Sequence, residues 1–193
     1  MPRQGLTTER VAAAAAELAD ELGLERLTVA AVARRFGVAD ASLYGHVRSR
    51  EALVQQVAVR AAATFADRLG LAVAGRSGRA ALTGFADAYR AFAVAHPGQY
   101  TATQLQLPPE VGRASGGHLR MIEISYATLR AYRLDEPALT DAIRFVRSTL
   151  HGFATLEIAA GFGHPRDVDA SWQRVVAGVH TALRHWREDD DQH

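Results

Sequence analysis

The chain has 193 residues, 48% of them hydrophobic, and a formal net charge of +1. This length and this apolar fraction predict a globular protein with a sizeable core and exclude a disordered chain. The absence of cysteine excludes disulfides, thiolate catalysis and cysteine metal sites. No apolar run is long enough to span a membrane, and the N-terminal stretch MPRQGLTTER has no apolar signal core. We therefore expect a cytoplasmic protein with no membrane contact.

Apolar residues recur at helical spacing in nearly every segment, and no segment alternates with the period of a strand. The sequence therefore predicts an all-α protein of about nine helices. In the first part of the chain, Thr7 or Thr8 and Thr28 are suited to cap helices, and Gly23 and Gly37 are suited to end them. The first four helices are expected within 7–23, within 28–37, at about 40–46 and at about 49–69.

The later helices are separated by stretches rich in glycine and proline, namely GRSG, HPG, LPP and GFGHP. Asp135 is expected to cap the eighth helix, with Pro137 in its first turn, and Asp167 or Asp169 is expected to open the last. The five later helices are expected at about 79–95, within 100–106, and at about 110–132, 135–161 and 168–187.

The stretch FGVADASLYGHVRSREAL, residues 36–53, combines a glycine turn with a concentration of positive charge. The segment 26–50 holds five arginines and one acid, Asp40, a local balance of +4. Gly37 between two short helices can supply the positive φ that a steep helix–helix junction requires, which is the pattern of a helix-turn-helix. The alternative is an ordinary solvated loop. The residues expected to fill the small core between these helices are Val32, Val38 and Leu43.

The segment LTVAAVARRFGVADASLYGHVRSREAL resembles the helix-turn-helix of the TetR family of bacterial regulators. The agreement covers about residues 6–55 and includes the capped second helix, the GV turn, the LYxHV core and the basic position before AL. Further on, HPGQYTATQ and RSTLHGFATLEIAAGFGHPRDVDASWQRVV look like the WHG type of TetR ligand domain. The resemblance implies a DNA-binding domain over 1–48 and a helical ligand-binding and dimerisation domain over 49–193.

The same resemblance implies a homodimeric repressor that binds a palindromic operator in double-stranded DNA and is released by a small-molecule effector. Ala39 stands where the family has a capping Ser or Thr, so Asp40 is expected to cap the short third helix. Arg34 and Arg35 are expected either to contact phosphate or to form a solvated face, and Arg3 to reach a minor groove. The residues expected to meet DNA are Thr28, Asp40, Ser42, Tyr44, His46 and Arg50.

Tyr44 and His46 have an alternative interpretation as partly buried structural residues. The effector residues also have one, because aromatic and polar groups on apolar helices suit both a ligand cavity and a core whose polar tips are satisfied. In particular, His151 and Gly152 can mark a close approach of two helices. The residues expected to line the effector site are Tyr100, Gln104, Tyr126, Phe145 and His151.

The dimer contact is expected on the last two helices, paired with their copies as a four-helix bundle. One stripe comprises Leu150, Ala154, Ile158 and Gly161, and the other comprises Trp172, Val175, Val179 and Leu183. The alternative is that these stripes face the core of their own subunit.

Two other functions are compatible with the sequence. Ala30, Ala39 and Gly45 offer no polar group for reading bases, and such a sparse base-reading surface suits a small-molecule binding protein with a vestigial helix-turn-helix. Ser42 and His46 are spaced to hydrogen-bond as in a hydrolase, but no orienting acid or oxyanion motif accompanies them. His180 and His185 are five residues apart and do not share a helix face as a metal pair would. We expect no enzymatic activity, no cofactor and no metal ion.

Overall fold

The structure, a computed structural model, describes residues 5–186. Within that range the protein is all-helical, with nine α-helices and no strand, which confirms the predicted fold class. None of these helices combines the length and apolarity that a bilayer crossing requires. Arg3 lies outside the described residues. The helices are α1 (Thr8–Leu22), α2 (Val29–Phe36), α3 (Arg50–Val73), α4 (Gly78–Ala95), α5 (Pro97–Thr103), α6 (Pro109–Ala114), α7 (Gly116–Leu129), α8 (Ala138–Ile158) and α9 (Val168–Arg184).

The chain forms two compact units. The first unit comprises Met1–Phe65 and Ala95–Arg120, and the second comprises Ala66–Val94 and Met121–His193. The first unit therefore contains more of the chain than the predicted 1–48 domain. It includes the first part of α3 and a later segment whose helix α5 packs on α1.

The core of the first unit holds the predicted centre of the helix-turn-helix. Val32 and Leu43 are fully buried, and Val38 packs against them half-buried, as expected. Helix α1 presents alanine and leucine to the same cluster, including the fully buried Ala15 and Ala19. Because these small side chains leave little space between backbones, the helices of this unit lie close together.

The predicted caps of α1 and α2 are confirmed. The Thr7 hydroxyl accepts a hydrogen bond from Arg10 N at 3.2 Å, and the Thr28 hydroxyl accepts one from Ala31 N at 3.1 Å. Gly37 ends α2 in the left-handed conformation, with φ 65° and ψ 35°. An L side chain is strained in that conformation, so glycine here allows the chain to turn sharply into the next segment.

The prediction that Asp40 caps a third helix over 40–46 is wrong. The segment forms a 3-10 helix of four residues, Asp40–Leu43, and the position before it is Ala39, which offers no side-chain hydrogen bond. Asp40 is the first residue of the helix rather than the one before it, so its carboxylate does not take the capping position. The next residues continue as a turn, in which His46 N donates to Leu43 O at 2.8 Å.

Two other sequence predictions are also wrong. The segment expected as one helix over 110–132 is divided at Ser115 into α6 and α7, and a 3-10 turn, Arg130–Tyr132, follows. Asp135 does not cap α8, because the residue before that helix is Pro137, whose fixed φ suits a helix start, and no side chain caps it. Asp167 does cap α9, where its carboxylate accepts hydrogen bonds from Asp169 N and Ala170 N.

Helix α5 docks on α1 through a carboxylate and a glycine. Asp20 accepts hydrogen bonds from Gln99 N at 2.9 Å and from Gln99 Nε2 at 2.6 Å, and lies 3.0 Å from His96 Nδ1. The carboxylate therefore satisfies a free amide at the start of α5, as a capping residue would. A Cβ added at the buried Gly98 would overlap the carbonyl of Ala19.

The second unit is centred on Arg90. Its guanidinium forms a bidentate pair with Glu157, both contacts at 2.6 Å, and also contacts Asp169 at 2.7 Å. It lies 5.7 Å from the ring centroid of Phe153 and 5.4 Å from that of Trp172. The hydrogen bond with Glu157 raises the pKa of Arg90 above its ordinary value, despite the opposing effect of burial. This one side chain therefore links α4, α8 and α9.

The stripes predicted to form the dimer contact largely face the core of their own unit. Leu150, Trp172, Val179 and Leu183 are each at most 3% exposed. The alternative interpretation applies to them, because the α8·α9 pair buries these side chains within one subunit. Ile158, at 39% exposure, remains at the surface.

We expect Gly98→Ala to destabilise the protein by about 1–3 kcal/mol, because the added methyl group must displace backbone atoms of α1. Gly112→Ala is the matched control, since nothing lies within 4 Å of a Cβ at this position of α6. There alanine should be neutral or stabilising by up to about 1 kcal/mol. Urea unfolding followed by circular dichroism measures both, and equal stability of the two variants would contradict the close packing of α5 on α1.

The caps give a second prediction. Thr28→Ala should cost about 1 kcal/mol of unfolding free energy through loss of its hydrogen bond to Ala31 N. Asp40→Ala should change it by less than about 0.5 kcal/mol, because Asp40 is exposed and does not occupy the cap. The same unfolding measurement compares the two substitutions. A loss at Asp40 as large as that at Thr28 would restore the capping role of the carboxylate.

Candidate nucleic-acid interface

The exposed surface of the helix-turn-helix carries the predicted DNA residues on one short stretch of chain. Asp40, Ser42 and Tyr44 are exposed, and Tyr44 reaches 56% exposure although it is aromatic. Between them the buried Leu43 fixes the 3-10 helix to the core. The phenolic hydroxyl of Tyr44 and the Ser42 hydroxyl can donate and accept hydrogen bonds with a partner, and the Asp40 carboxylate can accept them.

Thr28 and His46 each make a contact within the first unit. Thr28 is exposed at the start of α2, where its hydroxyl oxygen accepts the capping hydrogen bond and its O–H remains able to donate to a partner. His46 is half-buried, and its Nδ1 lies 3.5 Å from the Thr8 hydroxyl. The structural interpretation therefore holds in part for His46, while the exposed Tyr44 does not fit it.

Arg50 has partners that the sequence did not predict. Its Nε donates to Leu27 O at 2.8 Å, and its Nη2 donates to Leu24 O at 3.1 Å and to Glu25 O at 2.9 Å. These carbonyls belong to the segment between α1 and α2. The guanidinium was expected to contact phosphate. In the structure, two of its three nitrogens donate hydrogen bonds to backbone carbonyls of its own unit.

Arg35 is also occupied. It forms ion pairs with Glu21 at 2.9 Å and with Glu17 at 3.2 Å, both from α1. The hydrogen bonds that the Arg35 guanidinium donates to the Glu21 carboxylate raise the pKa of Arg35. Of the two interpretations of this arginine, the structure therefore favours a solvated face. The neighbouring Arg34 and the later Arg48 are exposed.

Gln56 forms a hydrogen bond within the first unit that the sequence did not predict. Its Nε2 donates to His46 O at 3.1 Å, which ties the turn after the 3-10 helix to α3. Glutamine on a helix face is ordinary, and its spacing from the turn residues carries no signal, so no sequence pattern identifies it.

The residues predicted to bind an effector are divided between the two units. In the first unit, the buried Tyr100 packs edge-on against Phe65 at 6.2 Å, and Gln104 Nε2 donates to the Thr103 hydroxyl. The second unit holds Tyr126, Phe145 and His151. Tyr126 is 40% exposed on α7, and Phe145 packs against Trp186 at 5.2 Å. Neither unit brings all five together.

A polar pair in the first unit was not predicted. The Ser115 hydroxyl lies 2.6 Å from His118 Nδ1, and Ser115 is only 1% exposed. His118 Nε2 is buried without a hydrogen-bond partner in the described part of the chain. Burial lowers the pKa of His118 and so favours the neutral form of its ring. A neutral imidazole with one unused nitrogen can donate to or accept from a ligand.

Two family models match the chain. The model described as bacterial regulatory proteins, tetR family, covers residues 7–57. The model described as Tetracyclin repressor-like, C-terminal domain, covers residues 82–179. The first match contains the whole helix-turn-helix described above, and the second spans α5 to α8 and most of α4 and α9.

The chain is also similar to two curated regulators. It is 34% identical over 189 residues to the uncharacterized HTH-type transcriptional regulator Rv0681 of Mycobacterium tuberculosis, covering 93% of this chain and 84% of that protein. It is 30% identical over 167 residues to the uncharacterized HTH-type transcriptional regulator YobS of Bacillus subtilis, covering 86% of this chain and 87% of that one.

Solved structures share the fold. A TetR variant from Acinetobacter baumannii AYE, crystallised in complex with minocycline, superposes with a TM-score of 0.69 at 21% identity, covering 95% of this chain and 99% of that one. Mycobacterium smegmatis BioQ gives a TM-score of 0.68 at 22% identity, covering 94% and 99%. With a C-terminal family model matching half of its length and curated relatives aligned over most of it, this chain belongs to the TetR family of transcriptional regulators.

Proposed function

We propose that this protein is a cytoplasmic repressor that binds a palindromic operator as a homodimer and releases it when a small molecule binds. The observation that carries the proposal is the exposed edge of the helix-turn-helix, where Asp40, Ser42 and Tyr44 surround the buried Leu43. A short helix held by one buried side chain can enter a major groove without losing its own packing.

Within this surface the proposed contacts divide by chemistry. The hydroxyls of Thr28 and Tyr44 and the ring of His46 suit phosphate oxygens, which fix the position of the protein on the duplex, and the Ser42 hydroxyl suits a base edge. Asp40 lacks a capping role and is exposed, so its carboxylate is available to accept from a cytosine amino group. The basic residues Arg34 and Arg48 add attraction to the phosphate backbone.

The effector is proposed to bind within one unit, among the polar and aromatic groups of its helices after α4. The candidates are Tyr100 and Gln104 in the first unit, and Tyr126, Phe145 and His151 in the second. Ser115 and His118 join the candidates of the first unit, because a buried imidazole nitrogen without a partner can form a hydrogen bond with a ligand. The minocycline complex of the Acinetobacter baumannii TetR variant is the precedent for small-molecule binding by this fold. Effector and operator should weaken each other's binding by the same factor.

The homodimer is proposed to use the exposed faces of α8 and α9. Leu156 and Ile158, near the end of α8, are 49% and 39% exposed and offer apolar surface to a partner subunit. Nothing lies within 4 Å of a Cβ at Gly152 or Gly178, so both glycines leave room at the surface of their helices. Small and apolar residues on two adjacent helices suit a close two-fold contact.

DNA binding is tested with duplexes selected by the wild-type chain from a randomised library. Tyr44→Ala should weaken binding to the selected duplex and to unrelated DNA by the same factor, about tenfold, because a phosphate contact carries no sequence information. Tyr126→Ala removes another exposed tyrosine, in the second unit, and should leave both affinities unchanged. Fluorescence anisotropy measures them. Failure of the wild-type chain to enrich any sequence would favour the small-molecule binding protein with a vestigial helix-turn-helix.

The dimer is tested at two adjacent positions of α9. Gly178→Glu meets no atom of its own chain, so the subunit should stay folded while the charge separates the dimer and operator affinity is lost. Val179→Glu buries the charge in the subunit core at a site 3% exposed and should unfold the protein instead. Sedimentation velocity and circular dichroism distinguish the two results. A Gly178→Glu chain that sediments as a dimer would place the contact elsewhere.

A further inference from the structure

Arg50 and Gln56 both extend from the first two turns of α3 to backbone carbonyls of the helix-turn-helix. Arg50 bonds to Leu24, Glu25 and Leu27, which precede α2. Gln56 bonds to His46, which follows the 3-10 helix. The two side chains therefore attach α3 to the helix-turn-helix on both sides of its DNA-facing surface.

We infer that Arg50 and Gln56 are positioning residues that hold the reading surface on α3, and that Arg50 acts through these carbonyls rather than through a phosphate. The inference rests on the proposed DNA binding and adds to it the means by which α3 controls that surface. Any rotation of α3 would be transmitted to the segments before and after the short helix.

The geometry of Arg50 supports this role over phosphate binding. A guanidinium presents its donors in a rigid fork, and here Nε and Nη2 already have acceptors at 2.8–3.1 Å. To bind a phosphate with those atoms the side chain would have to give up three carbonyls, each of which would then need water. Lysine has a single ammonium group and cannot reproduce the fork.

Gln56 supports the same conclusion from the other side. Its Oε1 is buried without a hydrogen-bond partner in the described part of the chain, while its Nε2 binds His46 O. An unpaired buried oxygen is unfavourable, so an aliphatic side chain would serve packing better. The hydrogen bond from Gln56 Nε2 to His46 O therefore accounts for a glutamine at this position.

The experiment separates the two roles of Arg50 with a substitution that keeps the charge. Arg50→Lys should lower affinity for the library-selected duplex about tenfold if the carbonyl contacts matter. Arg113→Lys is the matched control at an exposed arginine on α6 of the same unit and should leave affinity within about twofold. Full affinity in Arg50→Lys would overturn the inference, because the charge alone would then suffice.

Salt dependence gives an independent measure. Arg50→Gln should leave the slope of log affinity against log salt nearly unchanged, whereas loss of a direct phosphate contact reduces that slope by about 0.9. Gln56→Ala should lower operator affinity with the slope unchanged, and Gln55→Ala, its neighbour on α3, should have no effect. A slope reduced by about one in Arg50→Gln would return Arg50 to the phosphates.

Hydrogen exchange of the DNA-free protein tests the attachment even if the chain binds no DNA. Arg26 N and Leu27 N donate to Gly23 O and Leu24 O, so loosening this turn should speed their exchange in Arg50→Lys. In Gln56→Ala, the amides of His46 and Val47 should exchange faster, while amides of α4 serve as the internal reference in both variants. Unchanged exchange at these amides would overturn the positioning role independently of the proposed function.

Discussion

The burial of Leu43 is the contact on which the DNA-facing surface depends. The 3-10 helix Asp40–Leu43 has four residues and only this one buried side chain, so it cannot hold its orientation through its own hydrogen bonds. Gly37 makes the burial possible, because its left-handed conformation directs the chain back toward α2. With Leu43 in the core, its neighbours Asp40, Ser42 and Tyr44 in the same short stretch are exposed. The position and the exposure of the candidate interface thus follow from the burial of Leu43 and the turn at Gly37.

A single buried leucine does not fix rotation about its own axis, and the polar contacts around the segment supply the remaining constraint. Val47 is also buried and closes the turn. Arg50 and Gln56 then bond to carbonyls before and after the surface, so the segment is attached at several points to the start of α3. Because α3 continues as one helix to Val73, and its residues from Ala66 belong to the second unit, it is one of the three places where the chain passes from one unit to the other. Arg50 and Gln56 supply the atoms through which a movement of α3 would reach the DNA-facing surface in the proposed release by an effector.

Local features were predictable from the sequence because their causes are local. Thr28 as a cap and Gly37 as a helix end depend on a few neighbouring residues, and both are confirmed. The arginines were not predictable in the same way. Arg35 pairs with Glu21, Arg50 binds carbonyls and Arg90 lies against two aromatic rings, yet all three are the same residue type. Their partners lie far from them in the sequence. Only the folded structure therefore shows whether a given arginine is already paired within the protein or available to contact DNA. The surroundings of the α9 stripe were not predictable for a related reason. Helical spacing shows that Val179 and Leu183 share a face of the helix, but it does not show whether that face packs on its own subunit or on a partner.

The weakest part of the proposed interface is its supply of base-reading groups, and this constrains how it would recognise a site. Ala39 and Gly45 flank the short helix without polar side chains, and Ala30 adds none from α2. Asp40 and Ser42 are left as the exposed polar groups of the 3-10 helix. Two side chains per subunit distinguish few base pairs, because each good contact discriminates by about 1–3 kcal/mol. A two-fold dimer doubles those contacts, and phosphate contacts add dependence on the shape and stiffness of the duplex. Specificity in such a protein depends on the spacing of two rigidly held surfaces more than on the chemistry of either, so small movements of α3 would be sufficient to release the site.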